Sequence, residues 1–353
     1  MTTEQQPSPI EIAKALRQVK GVTDDRQYGE VLQAIAGRQA KTVTHAVAGL
    51  TEEDEFILMC VLMGTATHLA PLEQKVSIGM GLKAPDLVAR FQPGFSTRGI
   101  LLSRHTGYKC FVEVKSTKKD KFHMHGNALK KLRQFADAFG LPLVFAVRFL
   151  MLPDAALWVM VEDADRNTRR MTIGVSDWVS GLRPVLWDDF SFMLVPGTYF
   201  EATYAPNAGG VRHPQYGGQT EFQVIAQERR FAFSGDEAMF VSAFFEPYGL
   251  NEKNARREGN LTHVTYHAQN LALSLPDIIY RMNRLPRDSS GNLVYDATRT
   301  LRALADGQTP VLIGRGSVEQ LGRTFCKIGV LAVLGHGDPE GCYRRWIATG
   351  GIQ

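Results

Sequence analysis

Asp86, Glu113 and Lys115 are the residues whose types and spacing carry chemistry. Pro85-Asp86 is followed, 27 positions after the aspartate, by Glu113-Val114-Lys115. In an extended Cys110–Lys115 segment the side chains alternate between two faces, so Glu113 and Lys115 share one face while Val112 and Val114 point into a core. With Asp86 at the start of a neighbouring strand, its carboxylate meets that of Glu113 around a hard divalent cation. Two carboxylates suit Mg²⁺, which takes oxygen ligands and keeps waters that a phosphate can displace; Mn²⁺ is expected to substitute for it. Lys115 then stands beside the water that attacks phosphorus, orienting it or stabilising charge. The plainer reading is a half-exposed strand with a surface Glu–Lys pair. Apolar residues on both sides weigh against that, because such surroundings do not accept two adjacent carboxylates without a cation.

The elements that must hold these residues follow from the flanking patterns. Thr51 has the form of an N-cap, with Glu52, Glu53 and Asp54 in the first turn of a helix that is strongly apolar from Phe56 onward. Lys75–Ile78 and Asp86–Phe91 read as strands. Gly99–Arg104 and Lys109–Ser116 read as a hairpin about His105–Tyr108. Asn127–Phe139 has helical periodicity and stops at Gly140, and Leu143–Phe149 is a continuous apolar strand suited to the middle of a covered sheet. Trp158–Val161 adds a further strand. The expected organisation is a helical N-terminal segment (1–50), an α/β domain (51–165) and a C-terminal domain (166–353). The last begins Gly-, Pro- and aromatic-rich and becomes mostly helical after Gly235.

The bulk properties allow this chemistry without demanding it. The chain has 353 residues, 44% of them hydrophobic, with a net charge of +4. Four scattered cysteines, without paired spacing, argue against a zinc ribbon or disulfide framework and favour a reducing cytoplasm. No apolar run is long enough for a bilayer. Lys118, Lys119 and Lys121 follow the Glu-Val-Lys motif and suit contact with backbone phosphates, although such runs are usually solvated loops. His123 and His125 read as part of a loop, since nothing completes a zinc shell around them. Residues 264–285 have the pattern of a helix-turn-helix whose second helix carries Arg281 and Arg284, side chains able to contact DNA; an ordinary helical hairpin is the competing reading.

Taken together, the Pro-Asp and Glu-Val-Lys motifs, the acidic helix start, the hairpin and the basic helix before an apolar strand resemble the PD-(D/E)XK nuclease superfamily. The stretch Leu129–Phe135 through Val144–Arg148 is closest to its archaeal Holliday-junction-resolvase-like branch. The resemblance covers Thr51 to Val161. It implies a restriction-endonuclease-like mixed α/β sheet flanked by helices, preceded by a short helical segment and followed by an α+β, largely helical domain. It implies Asp86 and Glu113 as metal ligands with the Val114 carbonyl as a third oxygen, and Lys115 as the catalytic lysine. The assisting helix glutamate is Glu55, with Glu52, Glu53 and Glu73 as competitors; Lys130 and Gln134 fall where relatives contact phosphate. The implied activity is Mg²⁺-dependent endonucleolytic cleavage of DNA, in restriction, defence or DNA processing, by a homodimer or a subunit of a larger complex. RNA as substrate, an inactive nuclease-like binding or assembly subunit, and a structure-selective Holliday-junction resolvase stay open.

Overall fold

Every residue of Leu143–Phe149 is buried, Arg148 included, as its otherwise apolar sequence requires of a central strand. The computed structural model describes residues 9–36, 40–72, 81–92, 107–152, 154–165, 167–209, 211–286 and 294–336. They divide into two units, Met1–Asp188 with Pro286–Leu312, and Asp189–Leu285 with Ile313–Gln353.

The first unit runs α1 (Pro9–Lys20), α2 (Asp25–Ala36), α3 (Ala40–Met63), β1 (Ala66–Pro71), β2 (Leu87–Phe91) and β3 (Tyr108–Thr117). It continues with β4 (Lys121–His125), α4 (Gly126–Phe139), β5 (Leu143–Phe149), β6 (Trp158–Glu162), β7 (Arg170–Gly174), α5 (Asp177–Ser180) and α6 (Arg183–Leu186). Five strands form one mixed sheet in the order β1-β2-β3-β5-β6, in which only β3 and β5 are parallel. The parallel pair is joined by α4, the crossover such a pair needs. Leu129, Leu132 and Ala136 on α4 pack with Phe111, Phe145 and Val147 on one face of the sheet. The helix stops at Gly140, whose left-handed φ of 64° lets its N–H reach back to the last turn. Arg148 alternates to the opposite face, where its Nε donates to Glu55 Oε1 on α3 at 2.6 Å. Phe56 packs there against the tilted Trp158 ring and stacks with Trp187, at 5.3 and 5.9 Å between centroids. The result is a mixed α/β unit with its sheet flanked by helices.

Several expectations need correction. Thr51 is not an N-cap: α3 begins at Ala40, and Thr51 Oγ1 donates to the Val47 carbonyl inside the helix at 3.1 Å. α3 therefore runs across the boundary expected at residue 50. The acidic run is paired laterally instead of by a helix end, with Arg17 of α1 bonded to both Glu53 and Asp54. The boundary expected near residue 165 lies at 188/189, because Arg183 donates to the Trp158 carbonyl at 3.1 Å and Trp187 stacks on Phe56. His123 and His125 lie on β4, which pairs antiparallel with β7. The expected strands Lys75–Ile78 and Gly99–Arg104 lie outside the described residues, as does Glu73.

The second unit contains β8 (Phe190–Leu194), β9 (Tyr199–Ala205), β10 (Arg212–His213), β11 (Gly217–Ala226), β12 (Arg229–Ser234) and α7 (Gly235–Phe245). After these come β13 (Leu250–Glu258), β14 (Leu261–Ala268), β15 (Ala272–Ser274) and α8 (Leu275–Asn283). Then α9 (Ala297–Ala305) returns to the first unit, and α10 (Arg315–Lys327) and β16 (Leu331–Gly335) complete the second. An antiparallel sheet in the order β10-β11-β9-β14-β13, with β12 on β11, lies beside a three-stranded sheet β15-β8-β16 in the same unit. Phe200, Phe244, Phe245 and Phe325 build its aromatic core. Gly322 is required on α10, since a Cβ there would stand 2.2 Å from the Phe192 ring.

The helix-turn-helix expected over 264–285 is not formed. Leu261–Ala268 is a strand paired on both sides, and only α8 of the expected two helices exists. The β-branched and aromatic residues Thr262, Val264, Thr265 and Tyr266 favour the pleated surface that β9 offers. The residues after Gly235 are correspondingly mixed instead of mostly helical. No helix among the described residues is long and apolar enough to cross a membrane.

Candidate active site

Strand register brings the motif residues together. Leu87 of β2 lies opposite Val112 of β3, so the preceding Asp86 arrives beside Glu113. The Asp86 carbonyl is held by the Leu72 N–H at 2.9 Å. Glu113 and Lys115 are two apart on β3, opposite Phe145 and Val147 of β5. Asp86 is 4% exposed and Glu113 is fully buried.

Cations and dipoles converge on these carboxylates. The Val114 N–H donates to Asp86 Oδ2 at 2.7 Å. Lys115 Nζ lies 3.2 Å from Asp86 Oδ2 and 2.8 Å from Glu113 Oε1, and donates to the Val114 carbonyl at 2.6 Å. Lys83 Nζ donates to Glu113 Oε1 at 2.6 Å. Glu113 Oε2, by contrast, is buried without a hydrogen-bond partner. A buried, unpartnered carboxylate oxygen is costly to keep in a fold.

The electrostatics show the same strain. Burial, followed by the adjacent Glu113 carboxylate, pushes Asp86 up to about 6, against the pull of Lys115, the Val114 N–H and Lys83. Glu53 on α3 is pushed up to about 8, first by burial and then by Asp86, with Arg17 and Lys115 opposing. For Lys115, burial acts to lower the ammonium, but Glu113 and Asp86 outweigh it and hold the group above its ordinary range. Lys115 therefore stays charged.

The donor set is hard. Asp86, Glu113 and the Val114 carbonyl offer oxygen only, which fits Mg²⁺ or Mn²⁺ better than a soft metal. No group of three or more His, Cys, Asp or Glu side chains that could hold a metal ion is formed among the described residues. A cation here would keep much of its hydration, as Mg²⁺ does.

The other sequence candidates fall elsewhere. Glu55 is occupied by Arg148 and by the Trp158 indole N–H, at 2.6 and 3.1 Å, so it serves α3–sheet packing. Glu53, one of its competitors, is the helix glutamate that senses Asp86 and Lys115. Lys118, Lys119 and Lys121 are exposed at and beyond the end of β3. Lys130 and Gln134 are exposed on α4, away from its buried stripe. Arg281 donates to the Pro247 carbonyl and Arg284 to the Tyr280 hydroxyl, so both are engaged within the second unit and no recognition helix presents them. Lys83 escaped sequence reasoning. A lone lysine in the Gly81–Pro85 stretch carries no periodic signal, and only its position three residues before Asp86 hints at a role.

No protein-family model matches the chain, and no curated protein matches it. Among solved structures, the chain is similar to Archaeoglobus fulgidus Hjc, a Holliday junction resolvase from an archaeal hyperthermophile. The identity is 19% over 38% of this chain and 90% of that one, with a TM-score of 0.26.

Proposed function

We propose that this protein is a metal-dependent nuclease of the PD-(D/E)XK type, an endonuclease hydrolysing DNA phosphodiester bonds. One observation carries the reading: a buried Asp86–Glu113 pair bridged by Lys115, with Glu113 Oε2 left unsatisfied. Surface ion pairs need no such burial.

Asp86, Glu113 and the Val114 carbonyl would hold the divalent cation, Mg²⁺ or Mn²⁺. When bound, it supplies Lewis-acid neutralisation of the phosphate oxygens. Lys115, kept protonated by both carboxylates, orients the water whose oxygen bonds to phosphorus as the P–O3′ bond breaks, and its charge offsets the charge that develops. Lys83 holds Glu113 in place through Oε1, and Oε2, which has no hydrogen-bond partner, would be free to hold the cation. The attacking water gives up its proton to solvent water in the site, and the departing 3′ oxygen takes one back from the same solvent.

The test is cleavage of plasmid, linear, branched and single-stranded DNA, and of RNA, in Mg²⁺ and in EDTA. Metal-dependent products are expected, and Asp86→Asn or Lys115→Ala should each cost on the order of 10²–10³ in kcat. Undiminished metal-dependent cleavage by Asp86→Asn would refute the assignment. Absence of product on every substrate would favour a binding or assembly subunit.

A further inference from the structure

The β4–β7 ribbon follows directly from the strand that carries Lys115, yet it takes no part in the five-stranded sheet. Its two faces differ sharply. Met171 and Ile173 are buried, and they pack with Phe122 and Met124 into the core cluster under α4. The opposite face is exposed at Lys121, His123, His125, Arg170 and Thr172. Register places His123 beside Thr172 and His125 beside Arg170, so the face carries a ladder of cations and donors. The His123 Nδ1 and Thr172 Oγ1 atoms, 3.0 Å apart, tie the two strands across that face. Lys118, Lys119 and Arg169 extend the positive charge at the ribbon's ends.

Negative charge is scarce there. Asp120 is the only acidic residue in 118–125 and 169–174. Among the described residues, no ion pair engages Lys118, Lys119, Lys121, Arg169 or Arg170. Desolvation, followed by the charges of Arg170, Lys121 and Lys119, lowers the His123 pKa. A fold gains nothing from collecting unpaired like charges on one side of a two-stranded ribbon, since neighbouring like charges repel. A polyanion removes that cost. A regular row of cations and hydroxyl or imidazole donors matches the repeating phosphates of a nucleic-acid backbone, which carry no sequence information. Lys118 is three residues beyond Lys115, roughly 10 Å along an extended strand, so a backbone held on the ribbon lies within a few nucleotides of the site.

We propose that the exposed face of the β4–β7 ribbon is a sequence-independent docking track for the phosphate backbone of duplex DNA, delivering it to the Asp86–Glu113 site. The inference rests on the nuclease reading above, and its test separates the two. Full-length protein is titrated onto a fluorescent DNA duplex of about 30 base pairs in EDTA, at salt between about 50 and 200 mM, so that no cleavage contributes. Lys121→Ala/Arg170→Ala should reduce the slope of log K against log salt by about 2 and weaken binding about tenfold. Arg170→Glu should weaken it further. Because both side chains are exposed, the thermal midpoint should stay unchanged. Binding and salt slope equal to wild type in both variants would overturn the track, whatever the protein cleaves. Ribbon-dependent binding with no cleavage of any substrate in Mg²⁺ supports the track and refutes the nuclease reading.

Discussion

Asp86 and Glu113 make the site costly to fold without a counter-charge. Asp86 is raised from 3.8 to about 6 in the folded chain, so its contribution to stability is fully present below pH 4 and is lost as pH rises through 6. Glu53, raised from 4.5 to about 8, extends the same trend upward. Metal-free protein should therefore lose stability between about pH 4 and 8, with Asp86 responsible for about 3 kcal/mol at most. A divalent cation should restore most of that at pH 7.5. Urea midpoints at pH 5 and 7.5, in EDTA and in Mg²⁺, measure the effect, and Asp86→Asn should flatten the slope between pH 4 and 6. A midpoint that climbs with pH in EDTA would contradict the carboxylate clash. At this scale the sequence was most legible. Residue type and a two-residue offset on a strand are local properties, so Asp86, Glu113 and Lys115 could be named together. Lys83 could not, because its contact with Glu113 depends on how the loop before β2 turns back over β3.

Elements were legible where local pattern and tertiary context agree. Leu143–Phe149 is apolar at every position but Arg148 and became a buried central strand. Asn127–Phe139 repeats its apolar residues with helical period and became α4. Thr51 misled because a Thr-Glu-Glu-Asp run has the same composition at a helix start as in a helix interior flanked by cations. Arg17 and Thr298 supply the partners for Asp54 that a helix end would otherwise have supplied. The two readings differ in a measurable way. With Thr51 as N-cap, Glu52 is the first helical position and tolerates proline; within the continuous α3, Glu52→Pro should cost about 3 kcal/mol or more. A urea midpoint within experimental error of wild type would mean that the helix starts at Thr51 after all. In the β13–β14 hairpin the error ran the other way. Polar, exposed β13 has no strand periodicity of burial, and its extension is set by pairing with β14.

The first unit is closed by a segment remote in sequence. α9 packs against α1 and α3 after the chain has built most of the second unit. Asp296 caps α9 by accepting the Arg299 N–H at 3.0 Å and pairs with Lys20 of α1 at 2.8 Å. Burial acts to raise this carboxyl, but Lys20 and Arg299 outweigh it and hold the group below its ordinary range. Asp296→Ala should remove a cap and a partly buried ion pair, costing about 1–2 kcal/mol. Amide exchange should then accelerate in α1 and α9 before it does in β5. Equal protection in wild type and variant would show that α9 is not a clasp.

The sequence by itself determined the chemical vocabulary: which acids and lysine share a strand face, which strand is central, and which helix crosses over. These depend on spacing of two or 3.6 residues, and such periods survive in any context. Only the tertiary structure decided that α3 runs unbroken past Thr51, that Glu55 is bonded to Arg148 and Trp158, and that α9 returns to the first unit. It also decided that His123 and His125 line a cationic ribbon beside Arg170. Each of these rests on partners distant in the chain, whose burial, pairing and charge no local pattern encodes.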